Sequence, residues 1–148
     1  MTKDVLIKVR GYQYLAGEGE GLSEDPEVTE MITWGHYYPK GEHHYIRYEE
    51  KMEGFSETID NLIRLEEGRM EVRKKGLIDV LMAFDKNQMH QTNYRTPYGD
   101  IGMKIETTAL DVKLEEDQII IRTEYILEMN GAAVGSCRLE MDVISKKM

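Results

Sequence analysis

The feature that most restricts the fold of this chain is its regular punctuation by turn-forming residues. GEGEGLSEDP (17–26) is followed by PKG (39–41), EGFS (53–56), EEG (66–68), KKG (74–76) and DKN (85–87). TPYGD (96–100), EED (115–117) and NG (130–131) complete the series. The stretches between these signals are strand-length and too short for most helices. Short strands at regular spacing with turn signals indicate an all-β sandwich or barrel.

The side-chain pattern agrees. From Ile119 to Met129, apolar and Thr or Tyr residues at odd positions alternate with Arg122, Glu124 and Glu128. Such period-two alternation marks a half-buried strand. Asn130-Gly131 then supplies two residues that tolerate positive φ, as a tight hairpin turn requires. The next segment alternates again, with Gly135, Cys137, Leu139, Met141 and Val143 on one side. Val5, Ile7 and Val9 alternate with Lys8 and Arg10, and Ile78, Val80, Met82 and Phe84 share a face. Val28, Ile32 and Trp34 alternate with Thr29, Met31 and Thr33.

One segment reads two ways. In ETIDNLIRLEE (57–67), Ile59, Ile63 and Glu66 sit at helical spacing behind Ser56, a plausible N-cap. Ile59, Ile63 and Leu65 equally fit one face of a strand, which the neighbouring strands favour. The expectation is a single all-β domain over 1–148: an antiparallel barrel of about ten strands with mostly meander connections, a sandwich being the second choice. Closing the sheet would remove exposed edges.

TPYG at 96–99 places Pro at the second turn position and Gly at the fourth, as in a type I turn. Ile101, Met103, Ile105 and Thr107 alternate after it, so it closes a hairpin. A phosphate cradle would want free backbone N–H groups and a helix start; here proline removes a donor and a strand follows.

The stretch YRTPYGDIGMKIETT (94–108) resembles the signature of the YwiB-like family, small bacterial proteins of unknown function. YIRYEEKMEG (45–54), EVRKKG (71–76), VLMAF (80–84) and the final hairpin agree in order. ETIDNLIRLEE departs from the extended pattern expected there. The resemblance implies a ten-stranded barrel of lipocalin-like, calycin-type architecture. It implies no catalytic residue and no cofactor. The tryptophan motif of true lipocalins is absent, because Trp34-Gly35 has the wrong order.

Composition narrows the function. Twenty-eight acidic residues against 19 basic give a net charge of −9, which disfavours nucleic acid and anionic membranes as partners. Arg69, Arg73, Lys74 and Lys75 form the best basic patch, read as solvated charge around a hairpin end. No apolar run is long enough to span a bilayer as a helix. One cysteine, Cys137, permits no internal disulfide, and a cytoplasmic location is expected. Cys137 lies among apolar alternating positions and reads as a small buried residue.

Catalytic motifs are not found, so an enzyme is not the favoured reading. His43 and His44 are adjacent and would point to opposite faces of a strand, which argues against a metal site. The tyrosines point further: nine Tyr against two Phe suits side chains that bury a ring and keep a polar end. Trp34, His36, Tyr48, Tyr94 and Tyr125 are the candidate ligand-binding residues, on the premise that their faces line one lumen. The leading expectation is a small, partly apolar ligand held in the lumen or mouth. The alternative is an interaction or structural module whose barrel is filled by its own side chains. A homodimer is a further expectation, through an unpaired strand near the Gly17–Pro26 loop.

Overall fold

In the computed structural model, which describes residues 1–17, 21–22 and 25–146, every element is a strand. They are β1 (Asp4–Gly17), β2 (Gly21–Leu22), β3 (Glu27–Lys40), β4 (His43–Lys51), β5 (Thr58–Glu66) and β6 (Arg69–Gly76), followed by β7 (Val80–Asp85), β8 (Met89–Thr96), β9 (Gly99–Leu114), β10 (Gln118–Met129) and β11 (Ala132–Ser145). Neighbours run β7-β6-β5-β4-β3-β1-β11-β10-β9-β8, with the two-residue β2 pairing only with β1. The first and last long strands thus lie side by side, Val5 opposite Ser145 through Leu15 opposite Gly135. Ten long antiparallel strands form a nearly closed barrel. Its two free ends, at β7 and β8, meet at one bridge between Asp79 and Arg95.

The final hairpin has the expected chemistry. Asn130 and Gly131 adopt φ of 50° and 79°, and Met129 lies opposite Ala132. The TPYG corner is also a turn: Thr96 faces Gly99, and the Thr96 hydroxyl donates to the Gly99 carbonyl at 2.8 Å. Tyr98, at its tip, is 88% exposed. Of the long GEGEGLSEDP stretch, residues 18–20 and 23–24 lie outside the described residues.

The ambiguous 57–67 segment is strand β5. It is laddered on both sides, Ile63 standing opposite Ile46 of β4 and Val72 of β6. That register buries Ile59, Asn61, Ile63 and Leu65 together, which a helix could not do against two flanking strands. The KKG signal differs from expectation: β6 runs through it to Gly76, and the bend falls at Leu77 and Ile78. Lys74 consequently turns inward instead of ending a hairpin.

One contiguous cluster fills the interior. Ile7, Ile46, Ile63, Met70, Phe84, Ile105 and Ile121 are fully or almost fully buried within it, and they come from seven different strands. A register shift between Glu124 and Tyr125 pairs Ala109 and Thr107 with consecutive β10 residues, leaving Thr108 over. Such a bulge inverts which residues face inward beyond it. Up to Thr107 the inward positions of β9 are odd; beyond it they are Leu110, Val112 and Leu114, opposite the buried side of β10.

Candidate functional site

The five residues singled out by the sequence do not line one lumen. Trp34 and His36 are corrections: β3 turns Gly35 and Tyr37 inward, so their even-numbered neighbours stand on the outer face. Trp34 is 59% exposed, and the His36 Nδ1 lies 3.2 Å from the Asp4 carboxylate. Alternation alone could not say which parity faced the core, because both sets of this strand contain apolar residues.

The two nevertheless reach a common place with Tyr48. β3 pairs with β4 only from His36 to Lys40, so the strands part beyond Arg47. The gap is a cleft of 540 Å³ whose lining includes Trp34, His36, Arg47, Tyr48, Glu50 and Asp60. Arg47 and Asp60 form a forked pair on its wall, with Nε to Oδ1 at 3.1 Å, and this pair holds the Asp60 carboxyl below its ordinary value. Gly35 marks the crossing. A Cβ there would meet Ile7 Cδ1 and would stand 2.5 Å from the Arg47 carbonyl oxygen.

Tyr48 and Tyr94 face inward at the same end of the barrel. Burial raises the Tyr48 hydroxyl strongly and that of Tyr94 to a lesser degree, and the Glu50 carboxylate adds to both shifts. Glu50 belongs to a polar knot: Lys74 Nζ donates to Glu50 Oε1 at 2.7 Å and to Asn61 Oδ1 at 2.6 Å, while Asn61 Nδ2 donates to Glu50 Oε1 at 3.0 Å. Asn61 is fully buried and finds its partners within the knot, while Glu50 and Lys74 keep an edge to water. Tyr125 lies elsewhere in the interior, its ring edge-on to Phe84 at 5.1 Å and beside the Cys137 thiol. Burial raises the Cys137 thiol, which makes it a packing group rather than a nucleophile.

The opposite end of the barrel holds a larger opening. A cavity of 810 Å³ lies between the β5–β6 turn, the start of β4 and the far end of β9. Leu65, Leu110, Val112 and Leu114 form its apolar wall, and Glu42, His43, His44, Glu66, Glu67 and Asp111 its polar margin. All charged residues of fixed sign in this lining are carboxylates. Glu66 is engaged by His43 at 2.8 Å and by Arg64 and Arg69 at longer range. The buried Tyr37 hydroxyl, raised by desolvation and so kept protonated, lies 2.7 Å from His44 Nδ1. The contact fixes the orientation of the His44 ring and leaves Nε2 as its other polar atom.

Sequence reasoning missed this apolar wall. Leu110, Val112 and Leu114 change parity relative to Ile101–Thr107, and the bulge that explains the change is a property of the β9–β10 pairing. His44 shares its strand face with Ile46 and Tyr48, and that parity is the signal that leads to it. The structure separates the histidines: His36 bonds Asp4, His43 bonds Glu66, and His90 Nε2 lies 3.1 Å from the Leu81 carbonyl. Among the described residues, no three His, Cys, Asp or Glu side chains converge as a metal site would require. The basic patch is likewise divided, because Arg69 lies against Glu71 and Asp85 and Lys74 points inward to Glu50.

Residues 7–141 match the family model described as "Domain of unknown function (DUF1934)". The uncharacterized beta-barrel protein YwiB of Bacillus subtilis (strain 168) is 24% identical over 99 residues, covering 67% of this chain and 68% of that protein. The crystal structure of the ywiB protein from Bacillus subtilis is similar at a TM-score of 0.76 and 19% identity, over 99% of this chain and 96% of the other. That likeness supports the barrel fold.

Proposed function

This chain belongs to the DUF1934 family, whose function is not assigned, and from that premise we propose that it binds a small, partly apolar molecule in the mouth of its barrel. One observation carries the reading: Leu65, Leu110, Val112 and Leu114 converge with His44 on a single 810 Å³ opening. Its volume falls within the range of small-molecule sites, and one apolar wall faces polar groups at the margin. His44 Nε2 is the polar group, its ring positioned by Tyr37, and it donates or accepts according to the tautomer. The acidic margin bears on the ligand's charge. Glu42, Glu67 and Asp111 have no ion pair among the described residues, so an anionic head would meet uncompensated like charge. The ligand class that fits is an apolar body with an uncharged polar head, such as a hydroxyl that can donate or accept, in place of a carboxylate. A cytoplasmic location belongs to the same proposal, as does the calycin-type grouping of the barrel.

Calorimetric titration with decanol and with decanoate tests this directly. Decanol should bind and decanoate should bind more weakly, and Val112→Arg should abolish the decanol signal while leaving the circular dichroism melt in place. Absence of binding by both ligands, or equal binding by wild type and Val112→Arg, refutes the mouth as the site.

The filled interior favours a second reading, an interaction module that works through its outer surface. The packed cluster around Phe84 and Ile121 leaves the outer face of β3 as the conspicuous apolar surface.

A further inference from the structure

β3 is paired unevenly. On one side it is laddered to β1 from Glu27 to His36. On the other it meets β4 only from His36 to Lys40. Among the described residues, the edge from 27 to 34 therefore has no ladder partner and is not closely approached as Gly35 is, and every second residue along it presents its N–H and C=O outward. An open edge is a template for another strand, and monomeric proteins blunt such edges with lysine, proline or short length. EVTEMITWG contains neither lysine nor proline. Its outer face carries Val28, Ile32 and Trp34, exposed by 48, 66 and 59%.

We propose that this edge is the interface of a homodimer, two copies of β3 pairing antiparallel about a two-fold axis at Met31. A second copy is the occupant because the strand is its own complement in that register. Val28 then faces Trp34 of the other copy, twice, which covers the tryptophan with an apolar neighbour. Glu30 faces Ile32, so no carboxylate opposes a carboxylate, and the new ladder ends at Trp34 because Gly35 lies against Arg47 and Tyr48 of its own β4. Moving the axis to Glu30 would set Glu30 against itself, and like charges directly opposite destabilise a sheet. Glu30 is also held within its own chain by Arg10 at 3.3 Å, which lowers the repulsion it brings to the axis. A closed two-fold contact of this kind uses the same patch on both copies and does not propagate. The pairing continues β11-β1-β3 of one copy into β3-β1-β11 of the other as one sheet.

Sedimentation equilibrium of the full chain across a concentration series tests the proposal. The expected result is a species of twice 17.2 kDa. Each chain carries a net charge of −9, so salt that screens the repulsion should tighten the association. Ile32→Lys should shift the equilibrium about tenfold or more toward monomer. Ile126→Lys, an equally outward substitution on β10, should leave it unchanged, and melts of both variants verify the fold. With an added oxidant, Met31→Cys at the axis should yield a covalent dimer and Val28→Cys should not. A monomer at every concentration, a dimer indifferent to Ile32→Lys, or a monomer that instead takes up an unrelated extended peptide at this edge would overturn the inference.

Discussion

Asp79 and Arg95 exchange both of their backbone hydrogen bonds, N to O at 3.0 and 2.9 Å, and join the two ends of the strand order into a ring. Nearby, the His90 side chain reaches the Leu81 carbonyl, so one imidazole does part of what a longer ladder would do.

The seam is therefore the weakest seam of the barrel. Arg95→Pro removes the N–H that faces Asp79 and leaves the carbonyl of Asp79 without its donor. The expected loss is about 1 kcal/mol, the net value of one backbone hydrogen bond. Amide exchange in β7 and β8 should accelerate while exchange in β1, β10 and β11 stays slow; uniform acceleration would show that the ring does not open there first.

Gly35 is required by close approach and not by a turn. An added methyl would press on the Arg47 carbonyl oxygen and on Ile7, and a backbone atom laddered to its neighbours cannot move away cheaply. Gly35→Ala should cost about 2 kcal/mol, in the range of other overpacked sites. Gly41, in an open turn, has nothing near its missing Cβ, but its φ of 63° disfavours alanine as well. Urea denaturation separates the cases: shortening the Ile7 side chain in Ile7→Val should restore part of the loss at Gly35 and none at Gly41.

The knot of Lys74, Glu50 and Asn61 should respond asymmetrically to mutation. Glu50→Ala leaves an ammonium and a fully buried amide short of partners, at about 2 kcal/mol. That lies below the loss for a wholly buried pair, because both charged side chains remain partly open to water. The double change Glu50→Leu with Lys74→Met should lose less than Glu50→Ala alone. A double-mutant cycle with no coupling would contradict the geometry.

Alkali should destabilise the fold through its buried tyrosines. Burial raises the hydroxyls of Tyr48 and Tyr125 well above the ordinary value of 10.0. Below pH 10 both states keep these protons, and stability is unaffected. Above it the unfolded chain releases them and the folded protein does not, so stability falls with rising pH until the folded state titrates as well. Each residue contributes a slope approaching 1.4 kcal/mol per pH unit, or about that. Thermal melts between pH 9 and 11 should therefore steepen in their decline for wild type and flatten in Tyr48→Phe and Tyr125→Phe.

Much of this was decided locally and could be read from the chain. Alternation in Ile119–Met129 needs only a half-buried strand, and Asn130-Gly131 needs only the tolerance of two residues for positive φ, so strand number, most turns and the inward faces of β1, β10 and β11 follow from residues a few positions apart. The tertiary structure decided what depends on pairing between distant strands. It made 57–67 a strand by laddering it on both sides, and it turned Trp34 and His36 outward because Gly35 alone fits against β4. It also brought Leu110, Val112 and Leu114 to the mouth through one unpaired residue, Thr108. Register is a relation between two strands, and a single shift in it reassigns every later side chain to the opposite face of the wall.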